Sequence, residues 1–185
     1  MSVRPARVDE GPHDPRGELT FTESWAFEAL GPTGPDIHSE VGLRPGLGDC
    51  WFVARITGPG AMAVVVVDQS LPVPRPPRLE LRAPGLWADH VIEEPLQRWS
   101  LGLEAFGVAV PLEELSAVDL PDPDLRGERT PVGWELEWES TEPASWDPAG
   151  VGGYSLRCRV HGEVLIGTER HELEAVGLRR HRWGS

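Results

Sequence analysis

The chain has 185 residues, a length typical of one domain, and its net charge of −13 excludes nucleic acid and anionic membranes as main partners, because both would repel such a surface. Its 21 Gly and 19 Pro favour many short strands over long helices. No apolar run approaches the ~20 residues of a membrane helix. Residues 1–18 carry no apolar segment of the kind found in secretory signals, so we expect a cytoplasmic protein.

The chain begins with a polar stretch, residues 1–18, that lacks periodicity and is predicted to be a flexible arm. Residues 19–30 alternate and predict a strand with Phe21, Glu23, Trp25 and Phe27 on one face. The same criteria predict later strands over residues 49–57, 61–69, 78–82, 86–92, 96–101, 104–110, 133–140, 154–160 and 163–166, and a final stretch after a turn at Gly167. A single helical turn is predicted at residues 112–116, and a turn is predicted at His161–Gly162.

Strands at intervals of 8–12 residues, separated by turn signals, predict an all-β fold. The expected architecture is an antiparallel β-barrel or a strongly curved sandwich of about 8–10 strands. Residues 19–185 are predicted to form this single domain.

Tryptophan is unusually frequent, with eight residues against one Tyr. A barrel of about eight strands has room for one small ligand, and large flat side chains on its inward faces can form the walls of an apolar pocket. The predicted ligand-binding residues are Trp25, Trp51, Trp87, Trp99, Trp134, Trp138 and Trp183. The alternative, that these side chains only fill the core, remains open.

Polar side chains that could polarise a substrate carbonyl or transfer a proton cluster near the C-terminus. The predicted catalytic residues are His181, Arg179 and Glu172, together with Asp89, which follows Trp87 on a predicted strand. A solvated outer face is the alternative for each of them. We expect no metal, because His161, His171 and His181 are spaced by ten, and no cofactor, because phosphate-binding and dinucleotide motifs are missing from the sequence.

The C-terminal stretch resembles the end of a barrel in the family of carotenoid hydratases (hydroxyneurosporene synthases) and AttH-like proteins. That family carries the motif G-x-G-x-R-D-H-S-W-G, matched here by Gly177, Arg179, His181, Trp183 and Gly184. Segments 24–30 and 93–99 also resemble strands of the family. The resemblance implies a lipocalin-like barrel, and relationship to natural-product cyclases that include Diels–Alderases.

The motif departs from the family at Arg180, which stands where the family has a proton-donating Asp. Arg stays protonated at neutral pH, so olefin hydration through this position is not expected. The favoured function is therefore a cofactor-independent cyclase, or a related isomerase or lyase, that acts on a hydrophobic polyketide-like or terpenoid-like molecule. The alternatives are a non-catalytic carrier of such a molecule and a structural barrel that forms a homodimer.

Overall fold

The structure, a computed structural model, describes residues 4–32, 34–58, 60–115, 122, 124–147 and 152–185. Eleven antiparallel strands make up most of the described chain, and the all-β prediction is confirmed. The strands are β1 Thr22–Leu30, β2 Asp36–Arg44, β3 Asp49–Thr57, β4 Met62–Pro72, β5 Leu79–Ala83, β6 Leu86–Glu94, β7 Arg98–Pro111, β8 Glu128–Ser140, β9 Ser145–Trp146, β10 Gly152–Ile166 and β11 Glu169–Gly184. Two short 3-10 helices, Arg7–Glu10 and Leu112–Glu114, complete the described elements.

Within the described ranges, eight strands pair in a closed ring, in the order β4-β3-β2-β1-β11-β10-β8-β7 and back to β4. The long strand β7 makes the closure, because its C-terminal residues 108–111 pair with β4. Its N-terminal part pairs with β6, and β6 pairs with β5, so this hairpin extends the sheet at one end of the ring. Closing the sheet leaves few unpaired strand edges, which are the usual sites of unwanted association.

Alternation along the strands fills the ring with apolar side chains. Trp134, Leu136 and Trp138 of β8 are buried, while Glu135 and Glu137 between them are exposed. The predicted inward face of β1 is confirmed, since Phe21, Trp25 and Phe27 lie in the core, together with Glu23. Each large side chain removed from water in this way stabilises the fold by ~1.5–3 kcal/mol.

Three local predictions differ from the structure. The two strands predicted over residues 96–101 and 104–110 form one strand, β7, which runs through Gly102. Strand β2 was not predicted, although its apolar residues Ile37, Val41 and Leu43 alternate as a half-buried strand requires. The predicted turn at His161–Gly162 is wrong, because β10 runs unbroken through it and pairs with β8. Gly162 adopts φ of 149°, and a Cβ there would lie 2.0 Å from the Glu135 carbonyl oxygen, so glycine permits close approach of the two strands.

The N-terminal segment is not a free arm over its described part. Pro5 and Glu10 are buried, and the 3-10 helix Arg7–Glu10 ends with the Glu10 side chain inserted into one end of the ring. Local composition gave no sign of this packing, because the segment is held by residues far along the chain. The described helices are too short to cross a membrane.

Candidate functional site

Glu10 is bound by four donors at the end of the ring where β1, β7 and β10 begin and β11 ends. One carboxylate oxygen accepts hydrogen bonds from Trp99 Nε1 and Arg179 Nη1. The other accepts from the Tyr154 hydroxyl at 2.8 Å and from the Leu96 backbone N–H at 3.0 Å. The Glu10 side chain is 1% exposed and Arg179 is 2% exposed, so the two residues form a buried ion pair. Both oxygens of the Glu10 carboxylate are hydrogen-bonded, as a buried charge requires.

The strands hold these donors in fixed positions. Trp99 and Tyr154 lie near the starts of β7 and β10, and Arg179 lies toward the end of β11. Its guanidinium also lies over the Trp99 ring, 5.0 Å from the ring centroid. Leu96 has φ of 63°, an uncommon value for a residue with a side chain, in the turn before β7. Strain of this kind persists where surrounding contacts enforce it, and here the Leu96 N–H binds Glu10.

A second buried carboxylate, Glu23, lies between two histidines at the same end of the ring. Its Oε1 is 2.7 Å from His13 Nδ1 and 2.8 Å from His181 Nε2. The His13 backbone N–H donates to Glu23 Oε2 at 2.9 Å, so the N-terminal segment is fastened here as well. Glu23 and His181 are each 1% exposed, and His13 is 24% exposed. We call His13, Glu23 and His181 the His–Glu–His cluster.

The protonation states of the cluster follow from burial and hydrogen bonding. Burial acts to raise the pKa of Glu23, but hydrogen bonds from His13 and His181 outweigh it and hold that pKa below its ordinary value. Burial lowers the pKa of His181 despite the opposing charge of Glu23. At neutral pH we therefore infer an ionised Glu23 and a neutral His181.

The tautomer of His181 follows from its partner. A carboxylate only accepts hydrogen bonds, so the neutral ring places its hydrogen on Nε2, and Nδ1 retains a free lone pair. Nδ1 is buried and has no hydrogen-bond partner among the described residues. This atom is a neutral base shielded from solvent, and it acts as a general base where the proton to be removed comes within hydrogen-bond reach of it.

Aromatic rings surround the cluster. His181 stacks on Trp25 with ring centroids 4.4 Å apart, and His13 stacks on Trp183 at 3.9 Å. Tyr154 meets the His181 ring edge-on at 5.4 Å, and therefore connects the cluster with the donors around Glu10. An open cleft of about 330 Å³ lies beside Trp183 and is also lined by His13, Asp14, Pro15, Arg16, Glu18, Phe21 and Gly184.

The three ligand atoms of the His–Glu–His cluster lie within 4.8 Å of one another, close enough for a metal ion to be considered. The expectation of no metal rested on the spacing of His161, His171 and His181, and it did not consider the His–Glu–His cluster. Two ligands of one tetrahedral zinc ion lie ~3.3 Å apart, given Zn–N distances of ~2.0–2.1 Å. The observed separations of 2.7 and 2.8 Å are hydrogen-bond distances, so we interpret the cluster as hydrogen-bonded.

The predicted ligand-binding tryptophans divide into three groups. Trp25, Trp99, Trp134 and Trp138 are buried members of the core, and Phe27 contacts two of them. Trp183 is half-buried at the cleft. The remaining two, Trp51 and Trp87, lie outside the main apolar cluster and cover Gly42 and Gly102, and Trp51 is itself buried.

The predicted catalytic residues are brought together only in part. His181 and Arg179 lie on the inward face of β11, whereas Glu172 is exposed on the same strand. Asp89 is half-buried in a different cleft, of about 420 Å³, formed with Trp87 and residues of β7, β8 and β10. Burial and the neighbouring Glu80 raise the pKa of Asp89, but it does not contribute to the site around His181.

Arg180 and Cys50 do not contribute to this site. Arg180, which stands where the resembled motif has Asp, lies on the opposite face of β11 from His181 and forms an ion pair with Glu28 at 2.8 Å. Burial raises the pKa of Cys50 to about 12, so its thiol is protonated and is a poor nucleophile.

Sequence reasoning missed Glu10, His13, Glu23 and Tyr154. Glu23 could have been found, because an acidic residue on the apolar face of an alternating strand must be paired when buried. Glu10 and His13 lie in a polar stretch that gives no such signal, and their partners are 10 to 169 residues away.

The fold and site together define a small all-β protein with a closed ring of strands and two buried carboxylates, paired with arginine and histidine, at one end. The chain belongs to the family described as a domain of unknown function, DUF7064, whose profile matches residues 6–185. Comparison with curated proteins and with solved structures found no match. The family match leaves the resemblance to carotenoid hydratases as a prediction.

Proposed function

We propose that the protein is a cofactor-independent isomerase or cyclase that binds a hydrophobic small molecule at the His–Glu–His cluster. His181 Nδ1 accepts a proton from substrate carbon, and the ionised Glu23 holds the ring in the required tautomer and stabilises the imidazolium that forms. The single observation that carries this proposal is the 2.8 Å hydrogen bond from His181 Nε2 to a buried Glu23 carboxylate, with Nδ1 left without a partner in the described part of the chain.

The surroundings of the cluster support an apolar substrate. Trp25, Tyr154 and Trp183 lie against His181, and flat apolar surfaces favour a ring or a conjugated chain. Preorganising such a molecule beside a base can lower a cyclisation barrier by ~7–11 kcal/mol. The base favours a reaction with proton transfer over a purely pericyclic reaction such as Diels–Alder addition.

The proposal is tested with 2-tetralone, a hydrophobic ketone with acidic hydrogens beside its carbonyl. Exchange of these hydrogens in D₂O is followed by proton NMR, with buffer alone as the background. We expect the protein to accelerate exchange and His181→Gln to lower the rate by ~10²-fold or more. His161→Gln is the matched control. His161, on β10, lines the outer cleft together with Asp89 and Glu137, and this cleft lies away from the cluster.

Glu23→Gln separates positioning from simple packing, because the amide keeps the volume of the carboxylate but not its charge. The rate should fall even if the variant is as stable as the wild type. Exchange at the background rate with wild-type protein would contradict the proposal, and bound ketone without exchange would favour the carrier.

A further inference from the structure

The four donors around Glu10 all belong to the ring or to its turns, whereas the carboxylate comes from the N-terminal segment. Trp99, Tyr154 and Arg179 are strand residues, and Leu96 lies in the turn before β7. Without residues 4–13, these four donors would still point toward one position. We call this group of Leu96, Trp99, Tyr154 and Arg179 the carboxylate receptor.

We propose that the carboxylate receptor binds the carboxylate group of a hydrophobic carboxylic acid, and that Glu10 occupies the receptor as an internal substitute for this ligand. The inference rests on the proposed function and deepens it by naming the substrate class. The ligand displaces the N-terminal segment when it binds. When the ligand leaves, the segment closes the end of the ring again.

The donor arrangement matches a carboxylate in both geometry and charge. Each of its two oxygens receives two donors, and the single positive charge of Arg179 is balanced by one negative charge. An alcohol or an amide would leave Arg179 as an uncompensated buried charge. A phosphate monoester carries close to two negative charges at neutral pH, more than the single positive charge of Arg179 balances.

The contacts of residues 10–13 show what surface a displaced segment would uncover. Trp25 Nε1 donates to the Glu10 carbonyl oxygen at 3.3 Å, and the His13 ring covers Trp183 and reaches Glu23. The ligand chain would replace these contacts and lie against Trp25, His181 and Trp183. The favoured ligand is therefore an aromatic or polyene acid, and this position brings its carbon chain beside His181.

Glu10 competes with any free acid from within the same molecule. An attached group acts at a high effective concentration, in the millimolar range for short flexible links. Wild-type protein should therefore bind a small acid weakly, and removal of the Glu10 carboxylate should reveal the affinity of the receptor.

The test compares wild type with Glu10→Ala by isothermal titration calorimetry, with 6-phenylhexanoate as the acid and 6-phenylhexan-1-ol as its neutral counterpart. We expect Glu10→Ala to bind the acid at least ~10-fold more tightly than wild type and ~10-fold more tightly than it binds the alcohol. Glu104→Ala, which removes an exposed carboxylate from β7, is the matched control and should behave as wild type. The variant Glu10→Ala/Arg179→Met should lose the preference for the acid.

The inference is overturned if folded Glu10→Ala binds the acid no better than wild type, or binds acid and alcohol equally. If Glu10→Ala does not fold, Glu10→Gln takes its place with the same expected order and the same contradicting result. If wild-type protein exchanges the hydrogens of 2-tetralone but Glu10→Ala shows no preference for the acid, the receptor is overturned and the proposed function stands. Preference for the acid without exchange would overturn the proposed function and leave the receptor.

Discussion

His181 donates a 2.8 Å hydrogen bond to Glu23, and both side chains are 1% exposed. Register explains the pairing, because His181 on β11 lies opposite Trp25 on β1, two residues from Glu23 on the same face. Ionised carboxylates are rarely buried without partners, and Glu23 has two imidazoles and a backbone N–H. The end of the ring therefore places an anion and a neutral base in one water-poor site.

The buried ion pair between Glu10 and Arg179 should show strong coupling. Removing one partner leaves a buried charge without compensation, and each of Glu10→Gln and Arg179→Met should lower the free energy of unfolding by ~3–5 kcal/mol. The double variant should lose much less than the sum, because neither charge then remains. Urea unfolding of the four proteins measures the coupling, and additive losses would show that the two groups do not interact.

Stability should depend on pH through His90, a residue separate from the candidate site. Burial lowers the pKa of His90 to about 3, whereas an unfolded histidine titrates near ~6.5. Between these values the unfolded chain binds more protons, so the stability that His90 contributes is fully present above pH ~6.5 and falls as the pH decreases. From pH 6.5 to 5 the expected loss from this group is ~2 kcal/mol.

His90→Gln removes this titration and should reduce the change in unfolding free energy over the same window, with a remainder from His38 and His181, whose pKa values burial also lowers. Urea unfolding at several pH values between 7 and 5 makes the comparison. Glu23 affects stability at a lower pH. Its pKa is lowered in the folded protein, so the stability that it contributes is lost as the pH falls below the ordinary pKa of 4.5. An unchanged slope in His90→Gln would contradict the assignment of a neutral buried imidazole.

The packing of Trp138 over Gly177 predicts a sharp steric effect. A Cβ at Gly177 would lie 2.5 Å from the Trp138 ring and 2.5 Å from a Val160 methyl group, with no space to accept it. Gly177→Ala should therefore lower the melting temperature, with a loss of ~1–3 kcal/mol in the free energy of unfolding. Gly11→Ala is the control, since a Cβ there has no atom of the described chain within 4 Å, and equal melting temperatures for the two variants would contradict the packing.

The acids that sequence reasoning selected should be dispensable. Asp89→Asn and Glu172→Gln leave the His–Glu–His cluster intact, so exchange of 2-tetralone should stay within ~2-fold of wild type, while His181→Gln loses ~10²-fold or more. The proton NMR exchange rate is the measurement. A loss in Asp89→Asn as large as that in His181→Gln would place the chemistry in the cleft at Trp87.

Sequence patterning predicted the all-β fold class and most of the strands, but only part of the site. Alternation on β1, β8 and β11 identifies which side chains point inward, and the same alternation places Arg179 and His181 on the face of Leu173. It could not identify Glu10, because a short polar segment acquires its position only from donors contributed by β7, β10 and β11. It also could not name the partners of Glu23, since the pairing of distant strands decides which acid meets a histidine.

The most direct measurement for the central claim is the tautomer of His181, observed by proton–nitrogen NMR of the folded protein at pH 7. We expect a neutral ring with its hydrogen on Nε2, an unprotonated Nδ1, and a shift of both signals in Glu23→Gln. An imidazolium, or a neutral ring with its hydrogen on Nδ1, would contradict the assignment of His181 as the buried base.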